Sequence, residues 1–321
     1  MKDSYNRTID YMRISITDRC NLRCVYCMPD GIELLKMEEL LTYEQIAAVC
    51  QEAVLLGITK FKITGGEPLA RKGCADLIAA IKAIPGAKQV TLTTNGVLLK
   101  EHLPALKKAG VDGINISLDT LDPVLFEQIT GFDALAKVLE GLQAALDASI
   151  PVKINCVLQK GINDQEWMDV LLLAKDRPVH VRFIELMPIG QNSAHKGVSN
   201  KELLEQLQRR YTGIEKDERI LGNGPAVYYR IPGWRGSIGL ISAIHGRFCE
   251  SCNRIRMTST GQIKPCLCYA QSYDIRPAAR MEDRNQIRSV LQRAIENKPK
   301  KHCFELFEAV TERRKMAQIG G

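Results

Sequence analysis

Residues 11–27 read YMRISITDRCNLRCVYC. The first six have the character of a β-strand, and the remainder is a loop presenting Cys20, Cys24 and Cys27 just past the strand's end. The chain beyond this loop repeats the same grammar. A helix starts at Thr42, where Gln45 three residues on completes a capping box, and it carries Ile46, Val49, Ala53 and Leu56 on one face. Gly57 ends it and 60–64 is the next strand. The pattern then predicts helix 75–84 and strand 89–93, helix 99–109 and strand 113–117, and helices across 122–148 before strand 151–157. Helix 164–175, strand 179–185 and a last helix over 199–210 complete the series.

Six β–α units in sequence imply a parallel sheet with right-handed crossovers, either doubly wound or a barrel. The positions of the special residues favour a barrel. The cysteine loop, Gly65-Gly66-Glu67-Pro68, Thr93-Thr94-Asn95, Ser117-Leu118-Asp119 and Glu185-Leu186-Met187-Pro188 all come directly after strand ends. Barrels collect functional groups from many strands at that C-terminal rim. The expectation is an α/β fold: an incomplete (β/α)6 barrel over 1–215. Short segments punctuated by Gly and Pro, then a helix over 284–297, form a small α+β C-terminal domain over 216–310. A flexible polar tail, 311–321, ends in Gly-Gly.

Composition narrows the function. No stretch approaches the roughly 20 apolar residues of a membrane span, and the polar N-terminus lacks a signal core. We therefore expect a cytoplasmic protein with no membrane partner. The net charge of +7 suits an anionic small molecule, and no block of Lys and Arg marks a nucleic-acid track.

Of eleven cysteines, seven fall in two groups: Cys20, Cys24, Cys27, and Cys249, Cys252, Cys266, Cys268. Without an export signal these read as metal ligands rather than disulfides. A zinc site usually wants four N or S ligands, and no His lies near the first group. Three thiolates instead suit a 4Fe–4S cluster with one iron left open to chelate a methionine-type ligand. For the second group, a four-thiolate zinc ribbon and a second cluster are both compatible with the spacing. Arg254 and Arg256, on one side of a probable strand, add groups suited to phosphate or carbonyl recognition that a structural zinc knuckle does not need.

Cys20-Asn-Leu-Arg-Cys24-Val-Tyr-Cys27 resembles the radical S-adenosylmethionine (SAM) signature, and Gly65-Gly66-Glu67-Pro68 resembles that superfamily's SAM-binding turn. The runs 11–20 and 236–268, with Cys27-Met28-Pro29, 63–71, 185–188 and the terminal Gly320-Gly321, resemble the GTP 3′,8-cyclase family of molybdenum-cofactor biosynthesis across the whole chain.

That resemblance implies two 4Fe–4S clusters per chain, on Cys20, Cys24, Cys27 and on Cys249, Cys252, Cys266, each with an open iron; Cys268 is left out. It implies SAM contacts from Tyr26, Gly66, Glu67, Ser117 and Met187. GTP contacts are implied from Arg13, Lys62, Thr93, Lys153 and the segment Arg254, Ile255, Arg256, with Arg71 and Arg182 as weaker candidates. Arg13, Lys62 and Lys153 fall on strands, where an inward cation needs an anion to offset its burial. Two positions vary the family pattern: Lys62, where arginine is frequent, and Ile255 in an apolar slot.

The implied reaction is abstraction of hydrogen from C3′ of GTP by the 5′-deoxyadenosyl radical, then closure on guanine C8. The resemblance also implies an external electron donor, cyclic pyranopterin monophosphate synthase as the downstream enzyme, insertion of the Gly-Gly tail into the cavity, and a homodimer as an open question. Two other readings compete: a radical SAM enzyme acting on a peptide, and a non-enzymatic zinc or iron–sulfur sensor. The first needs fewer phosphate-suited cations, and the second leaves the 65–68 turn unexplained.

Overall fold

The structure, a computed structural model, describes residues 1–28, 31, 35–189, 196–246 and 248–320. Pro29 and Gly321, which carry part of the family resemblance, lie outside the described residues. Six parallel strands succeed one another in space as in sequence: β1 (Tyr11–Ser15), β2 (Lys60–Thr64), β3 (Gln89–Thr94), β4 (Ile114–Ser117), β5 (Val152–Leu158) and β6 (Val179–Glu185). Helices α1 (Tyr43–Leu55), α2 (Cys74–Lys82), α3 (Leu99–Lys108), α4 (Pro123–Thr130), α5 (Leu135–Asp147) and α6 (Trp167–Asp176) connect them, and α7 (Asn200–Arg210) comes after β6.

The last third of the chain does not build a separate sheet. Its strands β7 (Glu215–Lys216), β8 (Val227–Arg230), β9 (Ile238–Ile241), β10 (Arg254–Met257), β11 (Gln262–Lys264) and β12 (Tyr273–Asp274) extend the first six at both edges. β9 pairs parallel with β6 and β10 parallel with β1. The outer strands then turn antiparallel, giving the order β12-β11-β10-β1-β2-β3-β4-β5-β6-β9-β8-β7. Helices α8 (Arg276–Arg280), α9 (Arg284–Glu296) and α10 (Met316–Ile319) complete the chain.

Local chemistry explains most element ends. The Thr42–Gln45 capping box starts α1, and Gly57, at φ +87°, turns the chain after it. Gly131, left-handed at φ +77°, separates α4 from α5. The helix expected from residue 164 begins three residues later. Asn163 is tied into the preceding loop: its Oδ1 accepts from Gln159 N–H (2.8 Å) and its Nδ2 donates to the Asp119 carbonyl (2.9 Å). These side chain–backbone bonds compete with a first helical turn.

The period of two along the strands sorts the barrel's two faces. Met12, Ile14, Phe61, Ile63, Val90 and Leu92 point outward into the core beneath the helices, each no more than 1% exposed. The alternate positions are polar: Arg13, Lys62, Thr91, Thr93, Asn115, Lys153 and Arg182. A filled barrel interior is normally aliphatic. This polar one is built around something charged.

Candidate active site

The cysteine loop is held against β2 by glycine. Gly66 N–H donates to the Thr17 carbonyl (2.8 Å) and Glu67 N–H to the Arg19 carbonyl (2.8 Å). A Cβ on Gly66 would stand 2.4 Å from the Arg19 oxygen, and one on Gly65 2.7 Å from that of Thr17. Only glycine lets the two backbones approach this closely. Glu67 is fully buried and accepts from Leu69 N–H (3.0 Å), Thr94 Oγ1 (2.8 Å) and Asn95 N–H (2.7 Å). Asn95 Nδ2 in turn donates to Asn21 Oδ1 (2.7 Å) and approaches Cys20 Sγ (3.8 Å). Glu67 therefore fastens three strand-end loops together, with protein donors on both of its oxygens. Burial raises its carboxyl to about 7.

A cavity of about 300 Å³ opens at this rim. Cys20, Cys24, Tyr26, Cys27, Gly66, Thr93, Ser117 and Met187 all line it, as do Cys249, Cys252, Cys266, Arg13, Arg254 and Arg256. The two cysteine triads, more than 200 residues apart, thus face a common space. Tyr26 is oriented by Asp119: its hydroxyl donates to Oδ2 (2.7 Å), while Oδ1 accepts from Val157 N–H (2.8 Å). Burial raises the Asp119 carboxyl to about 6.

Burial also pushes up the thiols of Cys20, Cys24 and Cys27, the last to about 12. They are neutral until a cation displaces their protons. Cys252 differs. Burial pushes it up, but Arg254 and Lys298 outweigh that and bring it to about 7. All six cysteines line the cavity, and three thiolates on each side suit by their chemistry an iron–sulfur cluster with an open position; among the described residues no three Cys, His, Asp or Glu side chains are already gathered closely enough to hold a metal ion. Cys268 stands apart: it is fully buried with Leu267, Phe304, Val310 and Ile319, its Sγ 3.2 Å from that of Cys303, and it does not line the cavity.

Below the cysteines the barrel interior is cationic. Across adjacent strands Arg256, Arg13 and Lys62 stand side by side, and Asn155 stands beside Arg182. Gly239 faces Arg182 across the pair with β9, where a Cβ would lie 2.7 Å from Arg182 Cγ; glycine leaves room for that side chain. Burial, and then Arg182, Arg13 and Lys153, hold Lys62 well below the ordinary lysine range. Burial, and then Arg13 and Arg254, do the same for Arg256 relative to an ordinary arginine. Like charges buried together need an anion to offset them. Lys62, Lys153 and Arg182 are not part of the cavity lining, and Lys62 interacts with Arg13, which is part of it.

Three expected contacts stand elsewhere. Ile255 is fully buried in the hydrophobic core, because alternation along β10 turns it away from Arg254 and Arg256. Arg71 donates to the Ile16 (2.6 Å) and Leu41 (2.8 Å) carbonyls and lies over the Tyr43 ring, as a strut outside the cavity lining. Glu67 is not part of the cavity lining, and protein donors take three of its acceptor positions. Conversely, Lys298 was not singled out in the sequence. It lines the cavity and donates to the Arg254 (2.9 Å) and Pro265 (2.6 Å) carbonyls, joining the two segments that carry Cys252 and Cys266. Nothing near it in sequence marks it. Asp119 and Asn95 lie on strand-end loops that the sequence does mark, and could have been found there.

The terminal segment, read from its polarity as a flexible tail, packs against the site over 311–320. Glu312 pairs with the fully buried Lys264 and with Arg314 (2.8 Å). Lys315 Nζ donates to the Gly31 carbonyl (2.6 Å), and Met316 and Ala317 line the cavity. Arg256 Nη1 donates to the Gly320 carbonyl (2.7 Å). Gly320 has φ +73°, and a Cβ there would meet Ser15 Cβ at 2.9 Å.

Comparison with known proteins yields two family models. That of the radical SAM superfamily matches residues 14–174, and that of Molybdenum Cofactor Synthesis C matches 179–304. The GTP 3′,8-cyclase of Desulforamulus reducens is 44% identical and that of Clostridium perfringens 42%, each over 100% of both chains. Among solved structures, Streptococcus suis SuiB bound to S-adenosylmethionine superposes with TM-score 0.65 at 15% identity, over 97% of this chain and 78% of that one. Native anSMEcpe with bound AdoMet gives 0.58 at 15% identity, over 90% and 81%. Both share the fold.

Proposed function

Because this chain belongs to the GTP 3′,8-cyclase family of the radical SAM superfamily, we propose that the rim cavity works as two facing half-sites. SAM sits at the triad Cys20, Cys24, Cys27, and GTP lies between the triad Cys249, Cys252, Cys266 and the barrel cations. The activity is that of the family: GTP becomes (8S)-3′,8-cyclo-7,8-dihydroguanosine 5′-triphosphate while SAM is cleaved to methionine and 5′-deoxyadenosine, the first step of molybdenum-cofactor biosynthesis. The observation that carries the finer reading is the shared cavity, lined by both triads and by Arg13, Arg254 and Arg256.

When bound, the first cluster supplies the electron that cleaves SAM into methionine and the radical that takes hydrogen from GTP C3′. The chain's own work is placement. Gly65 and Gly66 seat their turn against the segment that leads into Cys20, and Tyr26, set by Asp119, together with Ser117 and Met187, walls the SAM side. Glu67 positions this loop through three accepted hydrogen bonds, two on Oε1 and one on Oε2, which leaves acceptor capacity on Oε2 for the SAM ammonium. Arg13, Lys62, Lys153, Arg182 and Arg256 neutralise the triphosphate, with Thr93 at the rim, while Cys249, Cys252 and Cys266 would hold a second cluster, whose open iron would supply a ligand position for guanine. Arg254 lies over the Phe248 ring, 4.9 Å from its centroid, close to that end. A site closed by the tail keeps water from the radical.

Both triads come from one chain, so the site needs no second copy. An external one-electron donor and transfer of the product to cyclic pyranopterin monophosphate synthase complete the reading. A cytoplasmic setting is supported by eleven unpaired cysteines, and among the described residues no helix is long and apolar enough to cross a membrane.

Anaerobic iron and sulfide analysis tests the cofactor assignment. About eight irons per chain are expected for two clusters; about four irons with zinc would remove the second. Incubation with SAM and GTP deuterated at C3′ should place deuterium in 5′-deoxyadenosine, and its absence there would reject the proposed geometry.

A further inference from the structure

Two cysteines lie outside both triads, on segments adjacent to the second one. Cys268 and Cys303 bring their sulfurs to 3.2 Å, and Cys303 N–H donates to Cys268 Sγ (3.3 Å). A disulfide requires about 2.05 Å, so the sulfurs need close by only about 1.2 Å. The two positions are not equivalent. Cys268 is fully buried, whereas Cys303 is partly exposed and its Sγ donates to the Ala309 carbonyl (3.1 Å).

Their surroundings give the pair a consequence. Cys268 is two residues from Cys266, and its carbonyl accepts from Glu312 N–H (3.2 Å) at the base of the terminal segment. Next to Cys303, His302 N–H donates to Cys249 Sγ (3.3 Å). A bond between 268 and 303 would therefore join the two segments that flank the second triad, and would fix the floor under the tail.

We propose that Cys268 and Cys303 are a reversible redox modification site. They form a dithiol that exchanges with a low-molecular-weight disulfide to give an intramolecular Cys268–Cys303 disulfide. The Cys303 sulfur attacks one sulfur of the small disulfide, and the first small thiol leaves. The Cys268 sulfur then attacks the mixed disulfide at the Cys303 sulfur, and the second small thiol leaves. The protein loses two electrons and two thiol protons, and the small disulfide is reduced to two thiols. Intracellular disulfides of this kind are typically transient and redox-sensing rather than structural.

The inference does not depend on the substrate assignment, and its test reads covalent bonds. Anaerobically prepared holoenzyme is exposed to glutathione disulfide, quenched in acid, alkylated, digested without reduction, and sequenced by tandem mass spectrometry. We expect a 268–303 cross-linked peptide to rise about tenfold over the untreated sample while the iron content holds, and to vanish on adding dithiothreitol. Cys303→Ser, at the partly exposed position, should abolish the cross-link and leave iron content and SAM cleavage unchanged. Failure of that peptide to form, or a bond from 268 or 303 to Cys249, Cys252 or Cys266, would overturn the proposal. So would loss of iron in Cys303→Ser, since it would make that residue a cluster ligand.

Discussion

Replacing Gly66 with alanine adds one methyl group at the tightest backbone contact behind the cysteine loop. Its Cβ would be 2.4 Å from the Arg19 oxygen and 2.6 Å from that of Asp18. Neither obstacle is the free end of a side chain. Both are carbonyls of the segment that leads directly into Cys20, and that segment is tied to the same turn by the Gly66–Thr17 and Glu67–Arg19 hydrogen bonds. To reach even the 3.0 Å at which real Cβ contacts begin, the two backbones must part by 0.6 Å.

Overpacking of this kind costs about 1–3 kcal/mol. If the loop in its SAM-ready position bears all of it, SAM affinity falls about five- to 140-fold. Displacements of this size near reacting groups also cost rate steeply, about 100-fold for 1 Å. Equilibrium dialysis of SAM against reconstituted Gly66→Ala, with 5′-deoxyadenosine yield by chromatography, measures both. Gly224→Ala is the control, because a Cβ there meets nothing within 4 Å and the backbone is not left-handed. A Gly66→Ala protein that binds and cleaves SAM like the wild type would refute the claim that this approach positions the cluster loop.

Three other expectations rest on the same geometry. Arg256→Ala removes a buried guanidinium and should weaken GTP binding about ten- to 150-fold, from about 1.5–3 kcal/mol for a charged hydrogen bond, while slow SAM cleavage persists; unaltered GTP affinity in dialysis would exclude it as a triphosphate contact. Burial and then Arg182 bring the Lys153 ammonium down to about 8, so without ligand the folded chain binds fewer protons than the unfolded one from about pH 8 to 10.4. Its stability contribution therefore rises with pH across that window. GTP restores the proton, so GTP affinity should drop above about pH 8 in the wild type and drop less in Lys153→Arg; parallel profiles would rule out a role for this charge. Glu67→Gln sets an amide NH2 against N–H donors and should cost about 1–3 kcal/mol; because burial raises this carboxyl to about 7, its ionisation weakens the wild type as pH rises through 7, so the melting temperature should be lowered most at about pH 5 and less at about pH 8. An unchanged melting temperature would mean the three hydrogen bonds to Glu67 carry no weight.

The βα succession and the strand-end loops were legible because both rest on local chemistry. Thr42 and Gln45 cap a helix within four residues of each other, and alternation along β1 and β3 is a period-two signal needing no partner. The first triad and the excess of cations at strand positions could be read in the same way; the second group reads locally as four cysteines, and only the family resemblance sets Cys268 apart. Asn163 shows where local reading fails: its bonds to residue 159 and to the Asp119 carbonyl delay the start of α6, and the second partner is 44 residues distant.

Sequence alone thus points to the kind of chemistry that Cys20, Cys24 and Cys27 carry: three thiols on one loop after a strand leave zinc and an iron–sulfur cluster open, and the resemblance of 20–27 and 65–68 to the radical SAM motifs chooses the cluster. What those thiols face is a matter of folding. The pairing of β10 with β1 and of β9 with β6 brings Cys249, Cys252 and Cys266 to the same cavity and sets Arg256 beside Arg13 and Lys62. Folding also turns Ile255 into the core, ties Glu67 to the Asn95 N–H and leaves Cys268 with Cys303. Spacing along a chain cannot carry such information, because strand pairing joins residues whose sequence separation is unrelated to their distance in space.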